Sequence, residues 1–121
     1  MFASSNLNPS FTLLSGDDGL TVPFCSIGAK GVISVLSNFF PERTVEMVNY
    51  ALVNDFKRAA ELHTTLFPLV KTLFIETNPV PVKAAMKLTG LLPHDGVRLP
   101  LVTLTHDSQE KLTAVVKKFH P

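Results

Sequence analysis

Two short apolar runs near the start, Phe11-Thr-Leu-Leu-Ser15 and Val32-Ile-Ser-Val-Leu36, constrain this chain most. Runs this short and this nearly continuous in apolar residues suit strands covered on both faces, as in a parallel sheet. Between them, Gly19 to Ile27 has length for about two helical turns. The order strand, loop, helix, strand is one βαβ crossover, and after it the pattern turns helical. Gly28 suits a helix C-cap, and Gly31 frees the backbone before the second strand. In such a unit the chemistry gathers at the carboxyl ends of the strands. Those ends are Ser15 to Asp18 and Ser34 to Asn38.

The remainder reads as helices and breaks. Met1 to Ser10 is Ser/Asn-rich and reads as a loop. Asp18 is placed to cap the helix after the first strand, with Asp17 a solvated loop acid. Pro23 is compatible with that helix only within its first turn. Pro41 and Glu42 open a helix over about 42–54 whose apolar residues Val45, Val48, Ala51 and Leu52 keep a 3- or 4-residue spacing. Asn54-Asp55 breaks it. A longer helix over about 55–75 carries the stripe Phe56, Ala59, Ala60, His63, Phe67, Val70, Leu73 and Phe74, with Pro68 as a kink point. Asn78-Pro-Val-Pro81 is an extended connector. A helix over about 82–89 stops at Gly90. After a loop with Pro93 and Pro100, Asp107-x-x-Glu110 reads as a capping box for a last helix to Phe119.

A chain of 121 residues has room for one modest core. Its 11 Lys and Arg are scattered against 10 Asp and Glu, net +1, which gives no nucleic-acid footprint. No run approaches the roughly 18 apolar residues of a membrane span, and the amino terminus does not read as a signal peptide. The single cysteine, Cys25, excludes an internal disulfide and reads as a small core residue in a reducing, cytoplasmic setting. His63, His94, His106 and His120 lack metal-ligand spacing, so no metal is expected. His63 reads as a packed histidine, and Lys83 as a solvated lysine.

The motifs Leu14-Ser-Gly-Asp-Asp18, Gly31-Val-Ile-Ser-Val35, Asn78-Pro-Val-Pro-Val-Lys83 and Arg98-Leu-Pro100 stand in one order and at fixed separations. From about Phe11 onward they resemble the C-terminal part of the dihydrodipicolinate synthase (4-hydroxy-tetrahydrodipicolinate synthase) family, pyruvate-dependent class I aldolases. The resemblance implies an α/β fold: the last two β/α units of a TIM (β/α)8 barrel at 1–54, then a C-terminal helical domain at 55–121. It implies the condensation of pyruvate with aspartate semialdehyde on the diaminopimelate route to lysine, through a Schiff base to a lysine, without a cofactor. A homotetramer is implied as well. Carried over residue by residue, Ile33 matches the isoleucine whose backbone contacts pyruvate, and Gly16 the glycine lining the site.

The departures are equally specific. Such a barrel needs about 250 residues. The family's tyrosine and threonine motifs have no counterpart, since Tyr50 falls on a helix. Ala3-Ser-Ser-Asn-Leu7 resembles the tail of the catalytic-lysine run, with Met1 where the lysine would stand. No catalytic residue is therefore expected in this chain, which should be inactive alone and, with uncovered strands, self-associating. Two other readings stand beside this one: a non-catalytic helical module docking on full-length subunits, and a part of another pyruvate aldolase such as N-acetylneuraminate lyase.

Overall fold

The computed structural model describes residues 11–119. The described residues form two compact units that divide between Leu66 and Phe67. That division lies inside the helix Phe56–Leu73; the boundary expected from the sequence is 54/55, in the turn before that helix.

In the first unit the two apolar runs meet in parallel. Ser15 bridges Val32, with Ser15 N–H donating to the Gly31 carbonyl at 2.9 Å and Ile33 N–H to the Ser15 carbonyl at 2.8 Å. Lys30 N–H donates to the Leu13 carbonyl at 2.8 Å, one residue out of step with that ladder. The expected strands over 11–15 and 32–36 are thus corrected: among the described residues, parallel pairing is confined to this bridge. Two causes are visible. A two-stranded parallel pair has no further strands to extend its ladder. The second run also ends early, because Val35 already has helical angles (φ −78°, ψ −41°) and Leu36 opens helix α2.

Between the runs, a 3-10 turn at Asp18–Leu20 leads into α1 (Thr21–Ser26). Pro23 is the third residue of α1, where its missing N–H has no intrahelical acceptor in any case. Gly28, at φ +105°, ends α1 in a Schellman turn: Gly28 N–H donates to the Cys25 carbonyl and Ala29 N–H to that of Phe24, each at 3.0 Å. After α2 (Leu36–Phe39), α3 (Pro41–Leu52) packs against both α1 and α2. It buries Met47 and Ala51, and the core around them includes Val22, Cys25, Leu36 and Phe39.

The turn from α3 to α4 (Phe56–Leu73) repeats the same closure with a different residue. Asn54 takes φ +63°, Asn54 N–H reaches the Ala51 carbonyl and Asp55 N–H that of Tyr50. Asparagine tolerates this left-handed region better than most residues. Asp55 then caps α4 by accepting the Arg58 N–H at 3.2 Å. Helix α4 runs through Pro68 without a break. His63 is half-buried on it.

The second unit pairs α5 (Val80–Leu88) with α6 (His106–Phe119). Val80, Val82 and Ala85 on α5 and Leu112 and Val116 on α6 are buried. Gly90 (φ +76°) closes α5, with Leu91 N–H donating to the Met86 carbonyl at 2.8 Å. The capping box expected at Asp107–Glu110 is displaced. Thr105 Oγ accepts the Ser108 N–H at 3.4 Å and donates to Glu76 Oε1 at 2.7 Å, while Asp107 lies within the first turn. The Thr105 hydroxyl, just before the helix, accepts one of its first-turn N–H groups, and its own proton goes to Glu76.

Candidate functional site

The Ser15–Val32 bridge sets the next residues, Gly16 and Ile33, side by side where both extended runs end. These are the two residues singled out in the sequence, and the fold brings them together. A Cβ built on Gly16 meets nothing within 4 Å, so the space before it is open. The Ile33 side chain is 71% exposed. Its N–H is already used on Ser15, so any backbone contact with a ligand falls to the Ile33 carbonyl.

Behind this pair lies a closed polar network. Ser15, 1% exposed, donates its hydroxyl to the Asp17 carbonyl at 2.8 Å. The Asp17 carboxylate accepts the Gly19 N–H at 2.7 Å and caps the turn. The sequence assigned these roles the other way round. Asp18 is not the cap but is buried, and its carboxylate reaches across to the second run. There it accepts the Ser34 hydroxyl and the N–H groups of Val35 and Leu36 at 2.9 and 3.2 Å. Thr21, fully buried, donates to the Asp18 carbonyl at 3.0 Å. No buried side-chain nitrogen or oxygen among the described residues lacks a partner.

The remaining candidates take structural places. Cys25 is buried, and that burial pushes its thiol up against a smaller opposing pull from Lys30, which makes it a poor nucleophile. Lys83, half-buried, donates to the exposed Gly96 carbonyl, which ties it to the loop after α5. No group of three His, Cys, Asp or Glu side chains among the described residues is placed to hold a metal. An open, mostly apolar groove runs along α3 past Pro41, Val45, Asn49 and Tyr50. It shares no residue with the Gly16–Ile33 pair. No described helix is long and apolar enough to cross a membrane.

The profile of the dihydrodipicolinate synthetase family matches residues 3–119. The chain belongs to that family. A 4-hydroxy-tetrahydrodipicolinate synthase of Hydrogenobaculum sp. is 47% identical over 112 residues, which are 93% of this chain and 38% of that protein. The crystal structure of dihydrodipicolinate synthase from Aquifex aeolicus superposes with a TM-score of 0.90 at 48% identity, over 93% of this chain and 38% of that one. The chloride-inhibited dihydrodipicolinate synthase of Acinetobacter baumannii, crystallised with pyruvate, gives a TM-score of 0.85 at 36% identity, over 88% and 36% of the two chains. The chain therefore spans well under half the length of the family members it matches, and corresponds to their C-terminal part. Nothing in the sequence marked Asp18 off from its neighbour Asp17.

Proposed function

We propose that this chain supplies the C-terminal part of a 4-hydroxy-tetrahydrodipicolinate synthase, the lyase that condenses pyruvate with aspartate semialdehyde on the diaminopimelate route to lysine. The observation that carries this is the 47% identity across 93% of the chain to a synthase of which it spans 38%. In this reading residues 1–54 form the last two β/α units of a (β/α)8 barrel, and 55–121 form the C-terminal helical domain. Exposed Phe11, Leu14 and Ile33 then face the six preceding units, and the complete enzyme is a cytoplasmic homotetramer.

The chemistry needs a lysine held at the pyruvate carbonyl. Its amine adds to the keto carbon and water leaves, giving an iminium. Loss of a methyl proton gives the enamine, which forms the new carbon–carbon bond at the aldehyde carbon. None of Lys30, Lys57, Lys71, Lys83, Lys87, Lys111, Lys117 and Lys118 follows the sixth-strand motif of the resemblance. The lysine belongs to the part of the enzyme that precedes this chain's matching segment. Gly16 and the Ile33 carbonyl serve as one wall of the keto-acid pocket.

The test is to fuse this chain behind the preceding part of the Aquifex aeolicus synthase. Turnover by the fusion is expected, with borohydride trapping pyruvate on a lysine of the Aquifex part. The chain by itself should give neither turnover nor adduct. An inactive but folded fusion, or a stoichiometric adduct on one of this chain's own lysines, overturns the proposal.

A further inference from the structure

Asp18 is 2% exposed, and among the described residues it is the one buried side chain that carries a formal charge. A carboxylate taken out of water is costly unless its oxygens are bonded. Every side-chain bond of Asp18 goes to one place, the three residues that follow Ile33: the Ser34 hydroxyl, Val35 N–H and Leu36 N–H. The latter two belong to the start of α2, where N–H groups have no acceptor within the helix. Asp18 itself stands two residues after Gly16. One side chain therefore ties together the chain just beyond both candidate pocket residues. The peptide group that carries the Ile33 carbonyl ends on Ser34, so the clamp acts on that carbonyl's direct neighbour.

We propose that Asp18 is a positioning residue for the keto-acid site: its carboxylate, by holding Ser34, Val35 and Leu36, fixes the Ile33 carbonyl beside Gly16. The role rests on the proposed function, because it presumes that this pair faces pyruvate. Asp18 makes no contact with substrate in this account. It acts through the backbone, and misplacing a binding group by about 1 Å costs on the order of a hundredfold in rate.

The experiment uses the fusion described above together with the full chain. In the fusion, Asp18→Asn should raise KM for pyruvate by about ten- to a hundredfold while KM for aspartate semialdehyde moves by no more than about twofold. Ser34→Ala should shift the pyruvate KM in the same direction by a smaller factor, and Ser34→Thr, which keeps the hydroxyl, should restore it. In the chain itself, Asp18→Asn should speed hydrogen exchange at the Val35 and Leu36 amides but not at Ala59. If Asp18→Asn does not fold, the Ser34 pair decides. Unchanged exchange at Val35 and Leu36, an unchanged pyruvate KM, or a loss shared equally by both substrates overturns the role of Asp18 while the active parent fusion stands. An inactive parent fusion overturns the proposed function, and this role with it.

Discussion

Lys87 Nζ on α5 stands 2.9 Å from Asp95 Oδ1 in the loop that follows, and Lys83, one turn earlier, donates to the Gly96 carbonyl. Two lysines four residues apart lie on one helix face, so together they pin the loop after Gly90 back onto α5.

The hydrogen bond from Lys87 is the main cause that holds the Asp95 carboxyl below the usual carboxylate range, against a smaller opposing effect of burial. A carboxyl lowered in the folded state stabilises the fold above its unfolded value, and that contribution is lost as pH falls through the folded value. The pair is accessible to solvent, so a Lys87→Ala/Asp95→Ala double-mutant cycle at neutral pH should give a coupling of about 0.5 kcal/mol. It should shrink in high salt and vanish in acid. A coupling independent of salt and pH would contradict this account.

Glu76 ties the start of α6 to the chain before α5. Its carboxyl is held below the usual range, first by the Ser108 hydroxyl and then by the Thr105 hydroxyl and N–H. The sign is the same as for Asp95: the tie is complete above the ordinary carboxylate range and fails as pH drops through the folded value. Glu76→Gln should lower the thermal midpoint at neutral pH and flatten its dependence between about pH 3 and 5. Melting curves across that window check it; parallel pH profiles for the two proteins would refute the tie.

Leu112 on α6 is fully buried, while Leu99 in the preceding loop is 87% exposed. Leu112→Ala should cost about 2–5 kcal/mol, the lost transfer energy plus the cavity, whereas Leu99→Ala should fall within about 0.5 kcal/mol of no change. Urea unfolding of the two variants provides the comparison. A large loss at Leu99 would mean that another surface covers it in solution.

Gly16 has open space where a Cβ would sit. Gly16→Ala should therefore leave the unfolding free energy of this chain within about 0.5 kcal/mol of its starting value. In the active fusion the same methyl group enters the proposed keto-acid pocket, and kcat/KM for pyruvate should fall by about tenfold or more. Full activity with the alanine would remove Gly16 from the pocket wall.

Most of the helices and their C-terminal ends were legible in the sequence because their causes are local; α2 (Leu36–Phe39) and the first turn of α5, which begins at Val80 inside the run read as an extended connector, were not. The stripes on α3 and α4, Pro41 at a helix start, and Gly28, Asn54 and Gly90 at helix ends act through residues three to five positions away, a spacing visible in one dimension. The parallel sense of the Phe11 and Val32 runs was legible too, since the short helix between them requires a crossover. What the tertiary structure decided is where the polar groups point. Asp17 and Asp18 are chemically identical neighbours; one caps its own turn and the other is buried against Ser34, Val35 and Leu36, 16 to 18 residues away. That choice also cut the second run short at Val35. Thr105 displaced Asp107 as the cap of α6 because Glu76, 29 residues earlier, arrives to accept its hydroxyl. A hydrogen bond goes to whichever partner the folded chain brings within about 3 Å, and for these groups only the folded chain sets that distance.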